Sequence, residues 1–173
     1  WELTVCNSLH PAGTPMRRVL EKDASYGHLL YDHLSCFMPL MDMTSILEIG
    51  AGYGYLMKDF LERNPGLRPC LMDISPALLG KQRETLAGHD VSYVLQDALE
   101  ADAATLQRFE LVILNENLGD FPTAVDVDQR VFEDREGAGD LPWRICRLFD
   151  TYNLEISQTP FNVNLGALEM VEK

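Results

Sequence analysis

Cysteine is scarce in this sequence, and what there is carries no pattern. Cys6, Cys36, Cys70 and Cys146 form no CxxC pair, and none stands beside a histidine at ligand spacing. No zinc site or disulfide framework is therefore encoded, and the four read as reduced core thiols. Basic residues are also few: 14 lysines and arginines face 27 aspartates and glutamates, for a net charge of −13. That deficit removes the dense cationic face from which counterion release drives nucleic-acid binding. Long apolar runs are missing too. Leu29 to Leu40 is interrupted by Asp32 and His33, and falls short of the ~20 residues of a membrane span. No basic segment leads into an apolar one as in a signal peptide, and there is no repeat or low-complexity stretch. The expectation is a cytoplasmic domain without membrane or nucleic-acid partners and without a metal.

What remains is the composition of an ordinary globular domain, 173 residues with 46% hydrophobic and 24% charged. A chain of this length buries roughly 70% of its unfolded surface in one core. The acidic excess either keeps the surface solvated or draws in a basic protein or a cationic small molecule. The sequence opens on Trp1 and stops at Lys173, inside a predicted helix over Leu165 to Glu172. It reads as a piece of a longer protein.

Residues 1–45 read as an N-terminal arm followed by covering helices, joined in one compact unit with a domain over 46–173. Pro11, Gly13 and Pro15 predict an extended arm over 1–15. Val19, Leu20, Leu29, Leu30, Leu34, Phe37 and Met38 then recur at helical spacing, broken near Ser25 to Gly27. From Ile46 the pattern changes to short apolar runs at 46–49, 70–72, 91–95 and 111–114, separated by helical stretches. Such alternation implies right-handed crossovers and a mainly parallel sheet with helices on both faces. Ser75-Pro76 marks a helix start and Gly88 its stop, while Asn64-Pro65-Gly66 closes the helix before it. Beyond Leu114 lies an acidic stretch to Asp140 with a turn at Glu136 to Gly139. It reads as a hairpin, with Val125, Val127 and Val131 on one side, or as a loop. A helix near Leu141 to Tyr152 and a loop at Ser157 to Asn162 follow.

The strongest chemical signal is Ile46-Leu47-Glu48-Ile49-Gly50-Ala51-Gly52-Tyr53-Gly54, a buried strand entering a glycine turn that opens a helix. Glycine is required where a ligand approaches the backbone more closely than a Cβ permits and where φ is positive. GxGxG with an acid two places before it differs from the GxGxxG of dinucleotide dehydrogenases. It suits S-adenosylmethionine (SAM), which brings an ammonium, a carboxylate and a sulfonium instead of a pyrophosphate; Glu48 would face the amino-acid end. A nicotinamide dinucleotide is the alternative. Asp73, at the end of the next strand, has the position from which an acid holds both ribose hydroxyls, with Ile74 beside it. Asp97 and Ala98 follow the third strand, where a carboxylate either accepts from the adenine amine or only caps a helix. Asn115 and Glu116 end the fourth strand, where the methyl group should point; they either orient and pin an acceptor or cap the next turn. Asp120 is a further carboxylate. Tyr26, Tyr53 and Tyr55 are candidates to shield a sulfonium or are plain packing, and His28 and His33 read as helix surface.

In order and type these residues resemble the class I SAM-dependent methyltransferases, whose Rossmann-like fold is an α/β three-layer sandwich. The stretch Asp73 to Leu86 resembles the corresponding part of the MidA-like family, which is linked to arginine methylation and assembly of respiratory complex I. Asn115-Glu116-Asn117-Leu118-Gly119-Asp120-Phe121-Pro122 is similar to that family's asparagine-glutamate segment ending in proline. The resemblance covers Ile46 to Pro122. It implies SAM as cofactor, a protein arginine as acceptor, cofactor contacts from Glu48, Gly50, Ala51, Gly52, Gly54, Asp73, Ile74, Asp97, Ala98 and Asn115, and catalytic roles for Asn115, Glu116 and Asp120. The class has a seven-stranded sheet, whereas four strands are legible here, so the fold reads as incomplete at the C-terminus. A SAM-binding assembly module without turnover is the competing reading.

Overall fold

The structure is a computed structural model that describes residues 4–20, 23–133, 140–156 and 158–173. Its contacts divide into two compact units, Trp1–Asn117 and Leu118–Lys173. The expected turn at Glu136 to Gly139 lies outside the described residues.

The first unit opens with helix α1 (Val5–Leu9), where an extended arm was expected. Thr4 explains the helix: its hydroxyl accepts from Asn7 N at 3.1 Å as an N-cap. The other end is closed by Arg17, a buried side chain on the 3-10 turn Pro15–Val19, whose guanidinium donates to Leu9 O and His10 O, both at 2.6 Å. Of the two expected covering helices only α2 (Tyr26–Leu34) forms, since Pro15 starts a short 3-10 turn instead. Val19 and Phe37 stay exposed, and α2 buries Gly27 and Tyr31, the latter edge-on to Phe60 with ring centroids 5.1 Å apart.

From there strands and helices alternate as the sequence implies: β1 (Ile46–Ile49), α3 (Tyr55–Arg63), β2 (Cys70–Asp73), α4 (Pro76–Thr85), β3 (Ser92–Leu95), α5 (Ala103–Leu106) and β4 (Leu111–Leu114). The four strands form a wholly parallel sheet in the order β3-β2-β1-β4. β1 and β2 are buried throughout, as expected of central parallel strands covered on both faces. Ile46, Leu56, Met57, Phe60, Leu71, Leu86 and Ile113 form the core on one side of this sheet, with Tyr31 and Leu40. Ser75 caps α4 by accepting from Leu78 N, and Pro76 takes the first helical position.

The second unit holds β5 (Thr123–Val127), α6 (Asp140–Tyr152), β6 (Phe161–Asn164) and α7 (Leu165–Glu172). β5 pairs antiparallel with β6, not within the acidic stretch, so part of the expected loop at 157–162 is a strand. A bulge between Ala124 and Val127, with Asp126 at φ 53°, breaks the alternation. Val125 is consequently exposed while Val127 is buried. Val127, Ile145, Leu148, Val163 and Leu165 make this unit's own core, closed by Phe132, Phe149 and Phe161.

All four cysteines are free, but only Cys70 and Cys146 are buried; Cys6 is half-buried and Cys36 exposed. Among the described residues, no helix is long and apolar enough to cross a membrane.

Candidate active site

Sheet order creates the site. The chain runs outwards from β1 through β2 to β3 and then returns to the other flank of β1 as β4, so the winding reverses between β1 and β4. Ligands in open α/β sheets sit at such a reversal, beyond the carboxyl ends of the strands. Ile49 is level with Leu114, so Gly50 and Asn115 leave the sheet side by side. On the other flank Gly50 N donates to Met72 O at 2.8 Å, and Gln96 N to Asp73 O at 3.1 Å. One edge thus receives the glycine turn, Asp73, Asp97 and Asn115 together.

The turn uses its glycines in three ways. Gly50, Gly52 and Gly54 all have positive φ, 67°, 54° and 81°. A Cβ on Gly50 would lie 2.6 Å from Asn117 Nδ2, whereas one on Gly52 would meet nothing within 4 Å and points into open space. Gly54, at the N-cap of α3, lets α4 close in: its Cβ would stand 3.5 Å from Gln82 Cα. Between them Ala51 is half-buried, and its carbonyl accepts from Gly54 N at 2.8 Å.

Glu48 is 3% exposed, and its Oε2 has no hydrogen-bond partner. Burial, helped by the nearby Asp73 charge, pushes its carboxyl up to about 8. Asp73 is equally buried but well held: Oδ1 accepts from Ser75 N and Oδ2 from Gln82 Nε2, both at 2.9 Å. Gln82, 0% exposed, also donates to Gly52 O at 3.1 Å, which ties Asp73 to the glycine turn and leaves Gln82 Oε1 unpartnered. Ile74 projects outward, 69% exposed. Asp97 does cap: its Oδ1 accepts from Leu99 N at 2.9 Å, above a buried Ala98. An ionised carboxylate has about four acceptor sites, so Asp73 and Asp97 both retain capacity for a nucleoside.

At the β4 end, Asn115 Oδ1 accepts from Tyr26 OH at 2.9 Å, while its Nδ2 faces Cys6 Sγ at 3.7 Å and Glu116 Oε2 at 3.4 Å. Burial, with the neighbouring Glu48, Glu116 and Asp59 charges, pushes the Cys6 thiol up to about 12 and keeps it protonated. Burial likewise raises Tyr26, which stays a phenol. Glu116 has φ 57°, an unusual conformation for a glutamate. Both its carboxylate oxygens accept from Val5 N, at 3.1 and 3.2 Å, so it anchors the start of α1. Asn117 donates to Ile49 O, leaving a buried, unpartnered Oδ1. Asp120 lies in the second unit, exposed on the 3-10 turn Leu118–Asp120.

Gln82, Asn117 and Cys6 were not foreseen as site residues. Gln82 had a signal, being a polar residue at core spacing between Leu79 and Leu86; the other two had none. Three buried acceptor atoms without partners, on Glu48, Gln82 and Asn117, surround a turn whose central glycine opens on free space. Buried polar groups are normally paired. A ligand with an ammonium and other donors would satisfy such a set, and SAM is one.

A family profile for a methyltransferase domain matches residues 47–156. The chain belongs to this methyltransferase family. Its cofactor is SAM, which decides against the nicotinamide alternative, and its Rossmann-like α/β fold is the one anticipated. Among solved structures it is similar to an amino pentose methyltransferase from Micromonospora echinaspora, solved with SAM bound and involved in calicheamicin biosynthesis. That match has 25% identity over 44% of this chain and 30% of that one, with a TM-score of 0.37. It is similar too to the pyocyanin biosynthetic protein PhzM, at 25% identity over 62% and 32% with a TM-score of 0.44. An O-methyltransferase family protein from Burkholderia thailandensis matches at 22% identity over 60% and 30%, with a TM-score of 0.42. The methyltransferase domain spans about a third or less of the length of these three proteins. Among curated proteins none matches the sequence.

Proposed function

We propose that this domain transfers the SAM methyl group to a nitrogen of an arginine side chain in a basic protein, as the MidA-like resemblance of Asp73 to Leu86 and Asn115 to Pro122 implies. The observation that carries the proposal is the placement of Asn115 and Glu116 beside Gly50 at the reversal of the sheet. SAM supplies an electrophilic methyl on a sulfonium, and the protein's work is alignment, exclusion of water and stabilisation of the nucleophile. Glu48 meets the ammonium, Asp73 the ribose and Asp97 with Ala98 the adenine, Ile74 covering one face. Asn115 orients the acceptor through its amide, and Glu116 supplies a carboxylate for a guanidinium. Transfer of that methyl would release a proton from the arginine nitrogen, and the Glu116 carboxylate would take it. A net charge of −13 favours encounter with a cationic partner.

The test is incubation with methyl-tritiated SAM and an arginine-rich peptide. Label is expected in the peptide, lost with Asp73→Ala and absent from a lysine-only peptide. Label in neither peptide would overturn the arginine reading. One observation favours the second reading, a SAM-binding assembly module: Glu116 is already engaged by α1. That reading requires saturable SAM binding with no transfer to any acceptor.

A further inference from the structure

We propose that the interface between α2 and α3 is a binding site for one divalent transition-metal cation, zinc foremost, held by His28, Asp59 and Glu62. His28 comes from α2, while Asp59 and Glu62 are three residues apart on α3 and therefore share one of its faces. One imidazole nitrogen and one carboxylate oxygen from each acid all lie within 4.8 Å of one another. His28 Nε2 and Glu62 Oε2 are 3.1 Å apart. Two donors ~2.0–2.1 Å from a tetrahedral zinc stand about 3.3 Å apart, so this pair already has the spacing, and an Asp59 oxygen lies within 4.8 Å of both. One nitrogen and two oxygens form a donor set that zinc and its first-row neighbours accept.

Asp59 gives the independent reason to expect a cation. It is 4% exposed, yet no described residue donates it a hydrogen bond or forms an ion pair with it. A buried carboxylate in that condition is costly. A Cβ on Gly27 would lie 2.6 Å from Asp59 Oδ2, 2.7 Å from Asp59 Cβ and 2.9 Å from Leu56 O, so residue 27 has to be glycine for α2 to pack this closely on α3 beside Asp59. His10 adds an imidazole nearby, stacked at 3.6 Å on Tyr55, one turn before Asp59, with its Nδ1 buried and unpartnered. Of the other charges on these two helices, Asp32 is matched with Arg63 at 2.9 Å, while Lys58 stands next to Asp59 in the sequence and acts on His10. The simpler alternative is that Asp59 faces the N-terminal turn of α2 as a counter-charge and that His28 and Glu62 are an ordinary ion pair.

A bound cation would clamp α2, which carries Tyr26, to α3, which begins at the last glycine of the cofactor turn. Its presence does not depend on the acceptor or on turnover. The test titrates metal-free chain with cobalt(II), reading the visible bands of a four- or five-coordinate site, and with zinc, reading thermal unfolding. The site predicts saturation at one cobalt per chain, displacement by zinc, and a rise in Tm of about 5 °C at a hundredfold zinc excess over Kd. His28→Gln, at a half-exposed position, should keep the circular dichroism of the native fold and weaken cobalt binding at least about tenfold. His33→Gln, an exposed change on the same helix, should bind as the native chain does. Absence of saturable cobalt binding, or equal binding by His28→Gln, overturns the proposal in favour of the ion pair.

Discussion

Glu48 is the residue whose ionisation the fold opposes most. Folded, it keeps its proton up to about pH 8; an unfolded glutamate releases it near about pH 4.3. Between those values the native state binds more protons, so Glu48 makes stability fall as pH rises through the window and leaves it flat above. Glu48→Gln should flatten that slope and make the ligand-free protein more stable than the native chain at pH 8, as read by denaturant titration. The same change should weaken SAM binding roughly 10- to 100-fold, because a charge-assisted hydrogen bond to the ammonium is gone. The glycines separate binding from folding in another way. Gly50→Ala puts a Cβ 2.6 Å from Asn117 Nδ2 and should cost about 2 kcal/mol or more, visible in urea denaturation. Gly52→Ala meets no protein atom. It should cost only ~1 kcal/mol of stability and act mainly on SAM affinity, measured by calorimetry.

Among the elements, α1 is held at its start by a residue distant in sequence, Glu116 at Val5 N, and at its end by Arg17 at Leu9 O and His10 O. Arg17→Ala should leave those carbonyls unpaired at a cost of about 1–3 kcal/mol. Hydrogen exchange of the α1 amides should rise well before that of β1. The hold from Glu116 leaves no local trace, and α1 was illegible besides because Pro11, Gly13 and Pro15 dominate the local pattern and five residues are too few for a hydrophobic period to stand out. β1 to β4 and their helices were readable because buried parallel strands are short apolar runs and because Ser75, Pro76 and Asn64 mark helix ends in ways set by local chemistry. β6 was hidden for a different reason. Its partner β5 lies more than thirty residues away, and the bulge at Asp126 destroys the alternation that would have announced either strand. Within the site, Glu48, the glycines, Asp73 and Asn115 follow from strand ends and could be read; Gln82 and Asn117 owe their places to packing between elements.

For the molecule as a whole, the two units have separate cores, and the second rests on Ile145, 1% exposed, with Val127, Leu148, Val163 and Leu165. Ile145→Ala should destabilise that unit by roughly 2–4 kcal/mol in thermal or chemical unfolding. The central claim concerns the first unit, where three ordered contacts from the glycine turn, Asp73 and Asp97 converge at one sheet edge. Calorimetric titration of SAM at pH 8 into the native chain, Gly52→Val and Asp73→Ala tests it most directly. One-to-one binding by the native chain, lost in both variants while their folds persist, is the predicted result; binding of equal strength by all three would contradict it.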